Sequence, residues 1–227
     1  MSGLIHHSPR FLLAIVVCSM LAGSIAGTAG AAAQTPISCD TTGGYAAGAT
    51  PAATPGAAVS VPTQAAIEPE QNPPGDIPDN QAFVTYTSPT GGYSISVPEG
   101  WARQENGANV SFSDKLHLFS VEAGCGTGPT DQAAAQVEAD TTLAQTIPAF
   151  ELVAIKPVTL PAGPAVLIQY RTNSEPDAVT GRQYRLDVDR YEVVQNGVRA
   201  VISLAGPAGS DNVDVSRQVS ESFRWNQ

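Results

Sequence analysis

This sequence is short of the residues that most protein chemistry requires. Of 227 residues, three are histidine and three cysteine, and His6 and His7 both stand at the far N-terminus. Basic residues number 11 against 21 acidic ones, for a net charge of −10. A chain with so few cations repels nucleic acid, whose binding depends on Lys and Arg neutralising phosphates. Anionic lipid surfaces repel it for the same reason. A G-x-S-x-G elbow, an H-E-x-x-H helix, a Walker loop and a G-x-G-x-x-G turn are all missing. From Thr41 to Gln81 there is no Leu, Phe, Trp or Met.

The one long hydrophobic run lies near the N-terminus. Arg10 precedes uncharged Phe11 to Ala26, and small residues lead to Ala31-Ala32-Ala33 before Gln34. A charged start, an apolar middle and an A-x-A exit predict a secretory signal peptide over residues 1–33, removed after Ala33. Retained, the uncharged stretch Phe11 to Ala33 is long enough to anchor the chain in a bilayer. Cys18 and Cys39 follow residues that fit a lipoprotein box poorly. Cleavage predicts an extracytoplasmic protein, secreted or held at the cell envelope, with no transmembrane helix. All basic residues but Arg10 lie at or after Arg103, so the cleaved chain carries 10 basic and 21 acidic residues, or −11.

Residues 34–82 read as a disordered linker rich in Ala, Pro, Gly and Thr. Seven prolines from Pro51 to Pro78 forbid regular pairing, and so little apolar surface does not offset the entropy of ordering the backbone. After cleavage, Cys39 and Cys125 are the two remaining cysteines, and both meet an oxidising compartment. Either they pair, closing a loop worth ~4 kcal/mol by chain entropy, or they stay as two independent thiols. Spacing alone does not decide between these.

Composition changes at Phe83, and residues 83–227 read as one α+β domain. Tyr93, Ile95 and Val97 alternate with serines, which predicts a half-buried strand paired with Phe83 to Thr87. Strands are expected at Val110 to Phe112 and Leu116 to Glu122. Pro129-Thr130-Asp131 opens a helix to about Ile147, with Thr130 as N-cap and with Ala133, Val137, Ala144 and Ile147 near one face and Leu143 beside them. Strands follow at Leu152 to Thr159, Ala165 to Arg171, Tyr184 to Val194 and Val198 to Leu204, the last two joined by a Gln195-Asn196-Gly197 turn. Ser210 or Asp211 caps a final helix whose apolar side is Val215, Val219 and Phe223. This order predicts an antiparallel sheet covered by helices.

Tyr93-Ser94-Ile95-Ser96-Val97-Pro98-Glu99-Gly100-Trp101 after Gly91-Gly92 resembles the opening hairpin of the PsbP-like domains. Val219-Ser220-Glu221-Ser222-Phe223-Arg224-Trp225 is similar to their terminal helix. The resemblance spans about residues 83 to 225. It implies an α/β/α sandwich that serves as a binding or accessory module, generally without a catalytic centre. The calcium and chloride role of the photosynthetic subunit does not carry over, because none of its functional residues has a match here.

Three places bear on chemistry. His117 lies in an alternating stretch, Lys115 to Phe119, where a surface or edge histidine is the ordinary case, and nothing marks partners for it as a base. Trp101 is expected to plug the sheet edge. The densest polar cluster runs from Arg185 to Glu192, with Arg185, Asp187, Asp189 and Tyr191 on one strand face and Leu186 and Val188 on the other. That face reads as a solvated surface neutralised by Arg185 and Arg190. Two carboxylates are too few for calcium's 6–8 oxygens. No catalytic residue, cofactor site or metal site is assigned. The reading is a non-enzymatic envelope module that binds an envelope protein. The alternatives are a carrier of a small apolar ligand such as a lipid, and a hydrolase with an unrecognised carboxylate site.

Overall fold

The structure, a computed structural model, describes residues 36–39, 64–71 and 74–226. The expected signal peptide, Cys18 and much of the expected linker lie outside these residues.

Among the described residues, ten strands form two antiparallel sheets. The smaller holds β1 (Phe83–Ser88), β2 (Tyr93–Pro98) and β10 (Arg224–Trp225) in the order β1-β2-β10. The larger holds β3 (Ala102–Asn106), β4 (Asn109–Ser113), β5 (Leu118–Cys125), β6 (Glu151–Leu160), β7 (Gly163–Asn173), β8 (Arg185–Gln195) and β9 (Val198–Pro207). Its order is β3-β4-β5-β9-β8-β7-β6. Helix α1 (Gln132–Glu138), a π-helical turn (Ala139–Leu143) and the short α2 (Ala144–Thr146) follow β5, and α3 (Val213–Ser222) follows β9. The chain is therefore α+β, with helices on antiparallel sheet as its element order predicts, though a second sheet shares the covering.

Alternation within each strand decides which layer a side chain joins. On β2, Tyr93, Ile95 and Val97 are buried, and they share a core with Phe112, Phe119, Val121, Leu167, Tyr191, Ile202 and Leu204 of the large sheet, with Val219 of α3 and with Phe223 just after it. The other face of the large sheet contributes Ile155, Val166, Ile168, Tyr170, Val188 and Ala205 to a second cluster with Ala135, Ala139 and Leu143. Covered on both faces, β7 needs the unbroken apolar run Ala165-Val166-Leu167-Ile168. The β8–β9 turn places Asn196 and Gly197 at φ 51° and 77°, the two positive values of a type I′ hairpin.

Several local expectations change. Strand β3 was not foreseen, because Ala-Arg-Gln-Glu-Asn is exposed throughout and has no apolar alternation. The α1 N-cap is Asp131, which accepts from Ala134 N–H, rather than Thr130. The stripe facing the sheet is Ala135, Ala139 and Leu143, while Val137 points to solvent at 61% exposure. The helix widens into a π turn where Thr141 Oγ1 donates to the Val137 carbonyl oxygen, a side-chain bond that competes with the helical ladder. Helix α3 begins after Asn212, not Ser210 or Asp211.

The domain also reaches upstream of residue 83. Ile77 is buried in the larger core. Around it, Ile77 N–H donates to Asn212 Oδ1 at 2.8 Å, Asp211 N–H to Asp76 Oδ1 at 2.9 Å, and Asn212 Nδ2 to the Gly75 carbonyl oxygen at 2.9 Å. Asn212 makes no side-chain cap on α3 because its amide is committed to this strap. Farther up the chain, Asn173 binds the backbone of Ala65 and Ile67, and Glu70 pairs with Arg182. A disulfide joins Cys39 to Cys125.

Candidate functional site: a polar cleft beside helix α3

Strand β8 divides the predicted polar row between environments that the sequence does not separate. Asp187 is exposed and Asp189 half-buried, and both line a cleft of about 270 Å³ between the large sheet and the start of α3. Arg185 and Tyr191 do not belong to a solvated face. The Arg185 side chain is 2% exposed and donates to the Ala149 carbonyl oxygen, to Asn173 Oδ1 and to Glu151 Oε2. Tyr191 lies in the core, where burial pushes its hydroxyl pKa up. The reason is coverage: α3 and the small sheet lie over the Tyr191 end of β8, and the β6–β7 edge encloses Arg185.

The cleft itself is built by register. Pairing sets Arg171 opposite Asp187, and Gln169 opposite Asp189. Arg171 Nε donates to Asp187 Oδ1 at 2.9 Å, and the bond and charge of Asp187 raise the guanidinium pKa above its usual range. Asp187 also accepts from Gly209 N–H at 3.1 Å, which ties the β9–α3 loop to the cleft wall. Lys156 Nζ donates to Gln169 Oε1 at 2.9 Å, and Gln169 Nε2 to Asp189 Oδ1 at 2.8 Å. Phe119, Leu204 and Gly206 lie behind these groups, and Val153 and Val213 flank them at 53% and 63% exposure. Asp187 is thus paired with a cation and Asp189 with a neutral amide, and the two valines share the lining with Ser210, Asn212 and Ser216. Sequence reasoning missed Lys156, Gln169 and Arg171. Their signal was present, since Gln169 and Arg171 alternate with Ile168 and Tyr170.

On the opposite face of the same strand, Arg190 and Glu192 enter a buried network. Glu192, with no exposed side-chain surface, accepts from Arg190 Nε and Arg199 Nε at 2.7 Å each. Glu138, from α1, accepts from the other ends of both guanidinium groups at 3.2 and 2.7 Å. Two acids and two bases close on themselves here. The bond from Glu192 raises the Arg199 pKa well above its usual value.

His117 is buried at 5% exposure rather than at the surface. Its Nε2 donates to the Gly75 carbonyl oxygen at 2.6 Å, its Nδ1 faces the Asp114 carboxylate at 3.1 Å, and its ring stacks on Trp101 at 5.6 Å. Burial works against the Asp114 carboxylate, but N–H donors from Leu116 and His117 and the His117 ring together hold its pKa below the usual range. The side chain holds the strap in place and does not face the cleft. Trp101 is half-buried against the core, where it also packs on Phe119 at 4.7 Å. Among the described residues, no group of three or more His, Cys, Asp or Glu is placed to hold a metal ion, and no helix is long and apolar enough to cross a membrane.

No protein-family model matches the chain, and no curated protein matches its sequence. Solved structures similar to it include a cyanobacterial PsbP. That protein, from Synechocystis, has 16% identity and a TM-score of 0.44, over 67% of this chain and 98% of its own. The Ran-binding protein Mog1p of Saccharomyces cerevisiae has 11% identity and a TM-score of 0.44, over 65% and 97%. LpqN of Mycobacterium tuberculosis, involved in cell envelope biogenesis, has 14% identity and a TM-score of 0.35, over 64% and 85%. A Bacteroides thetaiotaomicron structure has 14% identity and a TM-score of 0.38, and the chain covers 60% of itself and 46% of that protein.

Proposed function

We propose that this chain is an exported accessory module of the bacterial cell envelope that binds a partner protein through the cleft beside α3 and performs no chemistry there. The observation that carries this reading is the state of the cleft's charges. Asp187 is engaged by Arg171 and Asp189 by Gln169, and among the described residues no histidine or second carboxylate pairs with either, which supports a binding role over an acid–base one. A polar floor with satisfied groups and an exposed valine at each side suits a protein surface of mixed character. The leader over residues 1–33 supports an extracytoplasmic place of work, as does the Cys39–Cys125 bond.

An internal apolar-ligand carrier fits less well. Ala135 and Ala139 of the helical layer are fully buried against the sheet, so small residues bring the layers together rather than leaving room between them. A hydrolase would need its carboxylates free and a base nearby, whereas His117 is committed to Asp114 and Gly75. Native mass spectrometry on protein released gently from the producing cell's envelope tests the proposal. The expected spectrum contains the chain joined to a second protein. A small-molecule adduct instead would favour the carrier, and turnover lost on changing Asp187 or Asp189 would sink the non-enzymatic reading.

A further inference from the structure

The two carboxylates of the cleft differ in what balances them. Asp187 uses both oxygens: Oδ1 accepts from Arg171 Nε, and Oδ2 from Gly209 N–H. Glu151 lies 3.6 Å from the same guanidinium, so Arg171 already serves two acids. Asp189 is half-buried and receives one bond, from the neutral Gln169 amide to Oδ1. Among the described residues its Oδ2 accepts from no group, and it stays open to solvent. The nearest cations are engaged elsewhere. Lys156 Nζ reaches Gln169 Oε1, and Arg217 pairs with Asp214 on its own helix.

Apolar groups stand beside that oxygen. Register sets Gln169, Asp189, Leu204 and Phe119 side by side on the adjacent strands β7, β8, β9 and β5. Val213, at the start of α3, lines the cleft from the helical side. The volume, about 270 Å³, falls below the ~300–1,000 Å³ of small-molecule sites, and it suits one side chain. An apolar wall with an unpaired carboxylate beside it matches a long hydrocarbon stem that carries a cation at its tip.

We infer that the pocket at Asp189 takes a basic side chain, lysine or arginine, from the partner protein, with Asp189 Oδ2 as its acceptor. This anchor presupposes the cleft as the partner-binding site and adds the chemistry of what enters it. Charge complementarity selects the occupant. The acids Asp187, Asp189 and Glu151 outnumber the cations Arg171 and Lys156 around the cleft, in a chain of net charge −10. An acidic or phosphorylated segment is repelled by the same balance. A charge-assisted bond to a half-buried carboxylate, with the stem laid against Phe119 and Leu204, is the form that a binding hot spot takes.

Two-dimensional amide NMR of the disulfide-intact protein at matched ionic strength tests this anchor. The probes are the capped peptides Gly-Arg-Gly and Gly-Lys-Gly and the neutral Gly-citrulline-Gly. Both basic peptides are expected to shift the Asp189, Leu204 and Val213 amides, with Kd on the order of 1–10 mM for so small a ligand. The citrulline peptide is expected to leave them in place. Asp189→Asn keeps an acceptor for Gln169 and removes the charge, so both peptides should bind at least about fivefold more weakly. Asp140→Asn makes the same charge change on the helical layer across the sheet and should bind them as wild type does. Should Asp189→Asn not fold, Ser216→Lys puts the chain's own ammonium into the cleft and should block the peptides. Basic peptides that bind no better than the citrulline one overturn the anchor, as does an Asp189→Asn chain that binds them as wild type does. If the Asp187→Asn, Asp189→Asn chain nevertheless loses its partner, the cleft stands as the binding site and only the basic anchor falls.

Discussion

Strand β8 faces two layers, and its charges have different fates on each. Toward α1, Arg190 and Glu192 join Arg199 and Glu138 in a network in which Glu192 is wholly removed from water. Toward α3, Asp187 and Asp189 pair with Arg171 and Gln169 at the wall of an open cleft. Both sets are satisfied, but removing a member costs differently. A buried ion left alone keeps its full desolvation penalty, whereas an exposed one returns to water. The charges on the α1 side therefore contribute to holding the fold, whereas those at the cleft can change at little cost to it.

The largest effect should come from the buried side. Glu192→Ala leaves two guanidinium groups sharing the single carboxylate of Glu138 and should cost about 3–5 kcal/mol in urea unfolding. A loss below about 1 kcal/mol would mean that the network is solvated after all. The Cys39–Cys125 bond closes a loop across 86 positions and gives a reference for scale. Cys125→Ser should cost up to about 4 kcal/mol by the same measurement, less any strain that the bond imposes on the folded chain. No loss at all would mean that the segment at 36–39 is not tied down in solution.

Away from β8, in the β4–β5 connection, Asp114 is partly exposed and bound to a buried histidine. Its carboxyl pKa is lowered in the folded chain, so its contribution is complete above the unfolded value near 3.9 and is lost as pH falls through the lower folded value. The stability gap between wild type and Asp114→Asn should be steady above about pH 5 and close below about pH 4. A gap that persists unchanged into stronger acid would contradict the pairing. The smallest effect belongs to the cleft: Asp187→Asn with Asp189→Asn should change stability by less than about 1 kcal/mol, because both side chains reach water.

The sequence made the local features legible, and the reason is that they are local. The β1–β2 hairpin, the Asn196-Gly197 turn and the buried side of α3 each depend on residues a few positions apart. What covers each face is not local. Period 2 placed Arg185, Asp187, Asp189 and Tyr191 together, but only the layers packed over β8 send Tyr191 to the core and Asp187 to solvent. His117 looked like a surface residue because its acceptor, Gly75, comes from 42 positions upstream. Ile77 looked like linker because one isoleucine among prolines has no periodicity to show. On α1 the small Ala135, not Val137, meets the sheet, so the stripe runs through Ala135, Ala139 and Leu143.

The claim that one side of β8 holds the fold and the other holds a partner comes to its sharpest point in a single native mass spectrum. It is taken on the Asp187→Asn, Asp189→Asn double variant released from the envelope beside wild type. The account predicts the narrow, low charge states of a folded chain, with the partner mass seen on wild type now gone. A variant that keeps its partner would contradict the cleft as the binding site, and one with the broad charge states of an unfolded chain would contradict the division of labour between the faces.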